Sequence, residues 1–177
     1  WDLAPGVKEP QVFFGRDKDV VSLVFTPDGS ALAFGGSGGV QFQLLHGAPA
    51  AFPPVKVGGD VRSIAFDPRR GALALVLAQR VVLIPDPRFP NNRVELSVDS
   101  SSFPRDVAFH PDGTMLVWAA ERAVDFHRVG GPPVHHRVTV ENPLDARSVA
   151  FSPDGEALAV AGDQGMFLWP RFRAGPE

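Results

Sequence analysis

The sequence repeats one pattern four times, and this repeat limits the possible fold more than any other feature. Each copy has a phenylalanine, a turn and a second apolar run, as in VAFSPDGEALAVAG at 149–162. The phenylalanines are Phe25, Phe66, Phe109 and Phe151, so successive copies lie 41, 43 and 42 residues apart. A period this steady predicts similar structural units that stack on one another.

Each copy predicts four short β-strands. The first strand ends at a proline, which cannot donate a ladder hydrogen bond, and a glycine then supplies the positive φ of a tight hairpin. A second and a third apolar run follow. A fourth run precedes each phenylalanine by eleven residues, at Phe14, Val55, Val98 and Val140. No stretch has a convincing apolar period of 3.6 residues, so we expect almost no helix.

Four-stranded sheets of this kind predict a β-propeller, because one sheet cannot bury both of its faces alone and radial stacking covers them. We therefore expect an all-β chain of four-stranded antiparallel blades, with residues 1–177 forming one propeller domain or part of one. The last copy ends after its third strand, at about Arg171. We expect a strand near 11–14 to complete that last blade.

The motif VAFSPDG, the period and the strand order resemble those of the WD-repeat family. The resemblance covers almost the whole chain, but the family's Gly-His pair is missing from every copy and its Trp-Asp pair occurs only at Trp1-Asp2. The hydrogen-bond network of that family is therefore incomplete, with Asp163 and Trp169 as its remnant. The resemblance implies a rigid disc that binds protein partners.

Propellers of this family usually have about seven blades, whereas this sequence predicts four. Three arrangements therefore stay open. Two chains could form a homodimer that closes one eight-bladed ring. One chain could close a tight four-bladed ring, or the blades could belong to a larger ring. An isolated open half is unfavourable, because unpaired strand edges seek partners.

Composition excludes several classes of function. The net charge is −3, which does not indicate a nucleic-acid binder. No apolar stretch approaches the roughly 18 residues of a membrane span, and no signal-peptide pattern is visible. The absence of cysteine excludes disulfides and thiol catalysis. We expect a cytoplasmic protein that binds neither nucleic acid nor membrane.

Motifs for catalysis, cofactors or metals are weak, so we predict no such site. GGSGG at 35–39 resembles a nucleophile elbow, but both of its flanks predict strands instead of the required strand-to-helix turn. The adjacent His135 and His136 would point to opposite faces of a strand, so they cannot readily hold one metal ion. The stretch DPRFPNNR at 86–93 lacks calcium-loop spacing and predicts a connection between strands.

Three arginines form the predicted partner-binding site. Arg62, Arg105 and Arg147 each stand four residues before the phenylalanine of their copy, where the first copy has Val21. The start of an innermost strand faces one mouth of the propeller channel, so the three would line an arc there and could bind carboxylates or phosphates of a partner. Alternatively, nearby aspartates pair with them: Asp60, Asp106 and Asp145.

The sequence thus predicts a non-catalytic module for protein interaction, scaffolding or sensing within a larger signalling or regulatory protein. Its partner would be a protein or peptide, possibly acidic. One alternative is a propeller-based hydrolase, lyase or peptidase, which would need catalytic groups that converge on the channel. Another is an excised or engineered repeat piece whose main property is self-assembly into a closed ring.

Overall fold

The computed structural model describes residues 19–45, 52–96, 98, 103–130, 135–139 and 145–172. These residues form fourteen β-strands in four antiparallel sheets, and they contain no helix. No helix of the described part is therefore long and apolar enough to cross a membrane. The all-β propeller prediction is confirmed, and each sheet is called a blade below.

The strand bounds follow the four sequence copies. Blade 1 contains β1 (Val20–Phe25), β2 (Ala31–Gly36) and β3 (Gly39–Leu44). Blade 2 contains β4 (Ser63–Phe66), β5 (Leu73–Val76), β6 (Val81–Ile84) and β7 (Val94–Leu96). Blade 3 contains β8 (Pro104–Phe109), β9 (Met115–Ala120), β10 (Ala123–Arg128) and β11 (His135–Thr139). Blade 4 contains β12 (Ala146–Phe151), β13 (Leu158–Gly162) and β14 (Gly165–Trp169).

The outer strands differ in detail from the predicted fourth strands. Each pairs with the third strand that precedes it in the chain and belongs to the same blade, as β7 pairs with β6 and β11 with β10. Val55 forms only a single bridge, to Val40 of blade 1. Val98 lies just beyond β7, whereas Phe14, Val140 and the strand predicted near 11–14 lie outside the described residues.

The first hairpin of every blade turns at a glycine with positive φ, as the sequence predicted. The φ angles are 69° at Gly29, 70° at Gly71, 74° at Gly113 and 77° at Gly155. A side chain at such a φ is strained, because its Cβ approaches the backbone too closely. This conserved geometry gives all four blades the same inner hairpin despite their different turn sequences.

The apolar core lies between the blades. One cluster joins Val40 of blade 1 to Leu75 of blade 2, a second joins Val81 of blade 2 to Trp118 of blade 3, and a third joins Val124 of blade 3 to Val160 of blade 4. All six side chains are at most 1% exposed. Each blade thus depends on its neighbours for burial, as stacked repeats do.

A hydrogen-bonded seam joins the innermost strands. The carboxylate of Asp106 on β8 accepts bonds from Ser63 Oγ on β4 at 2.6 Å and from Ser148 Oγ on β12 at 2.8 Å. On the other side, Ser22 Oγ on β1 accepts a bond from the Ile64 N–H at 3.1 Å. The four strands β1, β4, β8 and β12 therefore run side by side from blade 1 to blade 4.

Candidate partner-binding rim

The predicted arginine position coincides with a backbone irregularity at the start of the inner strand. The pairing between first and second strands shifts register at Val21, Arg105 and Arg147, which marks a β-bulge in three blades. In blade 2, Arg62 stands directly before β4, and its N–H donates to the Val76 carbonyl at 2.8 Å. A bulge redirects its side chain away from the regular pleat, so this position can present a side chain at the end of the blades opposite the first hairpin turns.

Arg105 binds two carboxylates. Its Nη2 lies 3.3 Å from Glu121 Oε1, in the second hairpin turn of the same blade, and 3.2 Å from Asp145 Oδ1, at the start of blade 4. The side chain is about one-third exposed, and its Nε has no hydrogen-bond partner among the described residues. Arg105 thus joins blades 3 and 4 by an ion pair.

Arg147 continues this chain of charges. Its Nη2 lies 3.3 Å from Asp145, and its Nε and Nη2 reach the two carboxylate oxygens of Asp163 at 2.7 Å each. The fork geometry of the second pair is the strong, bidentate form of an arginine–carboxylate contact. Two of the three predicted arginines are therefore already occupied by carboxylates of this chain.

Arg62 differs from the other two arginines. It is exposed, and within the described ranges its guanidinium makes no hydrogen bond or ion pair. The neighbouring Asp60 is also exposed and forms no ion pair with described residues. Arg62 therefore keeps its donors available for a partner.

Together, these charged side chains form a surface that we call the charged rim. The rim consists of Asp60, Arg62, Arg105, Glu121, Asp145, Arg147 and Asp163. Three positive and four negative charges leave a formal sum of −1. The rim is thus a surface of alternating charge with one unoccupied arginine, and not a uniformly basic arc.

Sequence reasoning found part of this arrangement. It named Asp145 as a partner of Arg147, and the structure confirms that contact. It also named Asp106 beside Arg105, but Asp106 instead binds Ser63 and Ser148. It missed Glu121 and Asp163 as partners of arginine. The register of the first hairpins could have identified both residues. Ala120 pairs with Pro104 and Gly162 pairs with Ala146, so the next residues, Glu121 and Asp163, lie at the start of the inner strands that carry the arginines.

The opposite end of the blades holds the first hairpin turns and a buried histidine. His110 lies between blades 3 and 4, with Nδ1 2.7 Å from Asp112 Oδ1 and Nε2 3.1 Å from the Gly155 carbonyl. Both ring nitrogens therefore lie within hydrogen-bond distance of protein groups, Nδ1 near Asp112 and Nε2 near Gly155. In the described part of the chain, no group of three His, Cys, Asp or Glu side chains could hold a metal ion.

Hydrogen bonds lower the pKa values of the turn aspartates. Donors on Thr26 and Ser30 bring the pKa of Asp28 to about 2, and donors on Ser152 and Glu156 lower that of Asp154. For Asp112, desolvation raises the pKa, but hydrogen bonds from Thr114 and His110 outweigh it, so the net shift is downward. These carboxylates therefore hold their turns in the ionised form.

Comparison with known proteins adds a family match and two likenesses of fold. Residues 135–170 match the family model described as "WD domain, G-beta repeat". This segment runs from β11 to the end of β14, so it contains all described strands of blade 4. The β-propeller domain of Cps50 (Swd1) from Myceliophteria thermophila matches 84% of this chain with a TM-score of 0.67. The fold is a WD-repeat-like β-propeller.

The solved structures are larger and distant in sequence. The Cps50 domain is 16% identical, and this chain covers 50% of it. Hydrazine synthase from Kuenenia stuttgartiensis is 21% identical with a TM-score of 0.68, over 88% of this propeller and 45% of that chain. This propeller thus spans about half the length of the structures that it matches, and at such identities they show the fold alone. A comparison with curated proteins found no match.

Proposed function

We propose that this propeller is a non-catalytic protein-interaction module that binds a partner peptide at the charged rim. The observation that carries this proposal is the exposed guanidinium of Arg62, which has no partner within the described residues. The WD-repeat match and the propeller neighbours support a role as an interaction scaffold. Fold alone does not determine function, so the rim must account for recognition.

The proposed partner presents a carboxylate to Arg62. An arginine fork binds a carboxylate through two parallel hydrogen bonds, which fixes its orientation as well as its position. Further along the rim, the ion pairs of Arg105 and Arg147 present alternating charges on rigid strand ends. Like charges placed opposite one another weaken a complex. The best partner is therefore a peptide in which an acidic residue lies within a segment of mixed charge.

The non-catalytic character is part of the proposal. His110, a buried histidine between blades 3 and 4, has both ring nitrogens engaged by Asp112 and Gly155, which supports a structural role. A cytoplasmic location, a larger signalling or regulatory protein around this module, and the absence of nucleic-acid or membrane binding remain predictions from the sequence.

Peptide binding to single-arginine variants tests the proposal. Fluorescence anisotropy would measure the affinity of acidic, mixed-charge and basic peptides for the wild type, for Arg62→Ala and for Arg69→Ala. Arg69 lies on the same blade in the first hairpin turn, at the end opposite the rim, and is also exposed. A charge-assisted hydrogen bond contributes about 1.5–3 kcal/mol. Arg62→Ala should therefore weaken the mixed-charge acidic peptide about 10- to 100-fold, while Arg69→Ala leaves its affinity unchanged.

The salt dependence of the affinity and a triple variant provide two further tests. The affinity of the wild type should fall as salt rises, because the rim is exposed and screened. Replacing Arg62, Arg105 and Arg147 together should remove the binding that remains in Arg62→Ala. Equal affinity of Arg62→Ala and the wild type for every peptide would contradict a role for the rim.

A further inference from the structure

Two blade faces at opposite ends of the blade series are exposed although they are apolar. The leading face is the side of blade 1 that carries Leu23 and Phe25, which are 62% and 57% exposed. The trailing face is the side of blade 4 that carries Met166 and Leu168, which are 72% and 55% exposed. Large apolar side chains grouped on one face indicate an interaction surface.

The repeat itself shows that the leading face is normally covered. Leu23 corresponds to Ile64, Val107 and Val149, at offsets of 41, 84 and 126 residues. These three residues are 6%, 5% and 5% exposed, because each packs against the preceding blade. Leu23 is therefore exposed because no blade precedes blade 1 among the described residues.

The trailing face is likewise exposed at a position that is buried in the other three blades. Met166 corresponds to Val40, Val81 and Val124, at offsets of 126, 85 and 42 residues. Those valines are 1%, 0% and 0% exposed, and each belongs to the cluster shared with the next blade. The apolar side chain of Met166 has no such cover in the described part of the chain, where it is 72% exposed.

The two exposed faces are the two halves of one kind of junction. At each internal junction, the face equivalent to the trailing face packs against the face equivalent to the leading face of the next blade. The chain forms this junction three times. The trailing face of blade 4 is therefore suited to the leading face of a blade 1, but within one chain these two faces remain exposed.

We propose that a second copy of this chain covers both faces, with the trailing face of each copy packed on the leading face of the other. A head-to-tail contact generates a ring if its rotation closes and a filament if it does not. This chain spans 50% of the Cps50 propeller domain that it matches. Two copies joined by two such junctions therefore complete one eight-bladed ring.

Solution mass tests the assembly. Light scattering after size-exclusion chromatography should give twice the 19.0 kDa of one chain. Leu23→Glu places a charge in both junctions and should return the mass to that of one chain while circular dichroism stays unchanged. The matched control is Phe89→Glu, because Phe89 is 65% exposed in the loop between β6 and β7, outside both faces. This control should keep the double mass.

A disulfide tests the register of the junction. Inside the chain, a Cβ at Gly35 would lie 3.3 Å from Ile64 Cγ2 across the first junction. Ala161 and Leu23 occupy the equivalent positions at the proposed junction, and the chain contains no cysteine. Mixed Leu23→Cys and Ala161→Cys chains should form a covalent heterodimer on oxidation, whereas mixed Phe89→Cys and Ala161→Cys chains should not.

Three results would overturn the proposal. A single-chain mass at every concentration would mean that these faces are covered by other blades of a longer polypeptide, by a different protein, or by nothing. A double mass that persists in Leu23→Glu would place the contact on another surface. Masses that grow with concentration beyond two chains would show an open head-to-tail array and would contradict ring closure.

Discussion

At the scale of single residues, the turn glycines show how the blades are locked together. Gly71 and Gly113 have nearly the same φ, 70° and 74°, but different surroundings. A Cβ at Gly113 would lie 2.5 Å from Asp67 Oδ1 of the neighbouring blade, whereas a Cβ at Gly71 would have nothing within 4 Å. Asp67 is fully buried, and its Oδ1 accepts bonds from the N–H groups of Arg69 and Arg70. It therefore cannot move without losing them.

Alanine substitutions at these two glycines separate backbone strain from crowding. Gly71→Ala should lower the free energy of unfolding by about 1 kcal/mol, since it introduces a side chain at positive φ. Gly113→Ala should cost about 1–3 kcal/mol more, as overpacking of a close-packed site does. Urea unfolding of both variants measures the difference. Equal costs would show that Asp67 does not pack against Gly113 as the structure has it.

At the scale of secondary-structure elements, the first hairpin turns depend on ionised aspartates. Asp28, Asp112 and Asp154 each accept a bond from the N–H two residues further on, at 3.0, 2.8 and 3.0 Å. Their pKa values lie below the ordinary value of 3.8. A lowered pKa in the folded state contributes stability above the unfolded pKa and loses it as pH falls through the folded pKa.

Acid should therefore destabilise the propeller between about pH 4 and pH 2, the pKa of Asp28 being about 2. The midpoint of thermal unfolding, measured across this range, should fall less steeply for the double variant Asp28→Asn and Asp154→Asn than for the wild type. Asp60→Asn, which removes an exposed carboxylate outside these turns, is the matched control. An unchanged acid slope in the double variant would assign acid sensitivity to other groups.

Blade 2 shows where sequence reasoning about such elements reaches its limit. Strand order and turn position followed from apolar alternation and from proline and glycine, since both act locally. In blade 2, however, the turn reads DPRRG, and its carboxylate belongs to Asp67, before the proline. The partners of Arg105 and Asp106 come in part from neighbouring blades, and one sequence without its packing does not reveal which side chains meet across a junction.

At the scale of the whole molecule, Asp106 joins three blades. Its Oδ1 accepts bonds from Ser63 Oγ and the Val107 N–H, and its Oδ2 from Ser148 Oγ and the Val149 N–H. The repeat places serine at the equivalent positions 22, 63 and 148. An aspartate at this one position therefore supplies the acceptors that its serine neighbours on both sides need.

Asp106→Asn should lower the free energy of unfolding by about 1–3 kcal/mol, because the amide cannot accept bonds at both of its terminal atoms and leaves donors unsatisfied. Ser148→Ala removes only one of the four bonds and should cost less. Chemical unfolding of both variants measures these costs. An Asp106→Asn variant as stable as the wild type would show that the seam does not hold the blades together.

Amide hydrogen exchange tests the order of strands within the blades most directly. The middle strands β5 and β9 are almost wholly buried between neighbouring blades, whereas the outer strand β7 carries the exposed Val94 and Glu95. Protection follows burial and the cost of local opening. The propeller predicts that amides bonded within β5 and β9 exchange slowest and those of β7 and β11 fastest. Outer strands as protected as β5 and β9 would contradict the radial stacking of the blades.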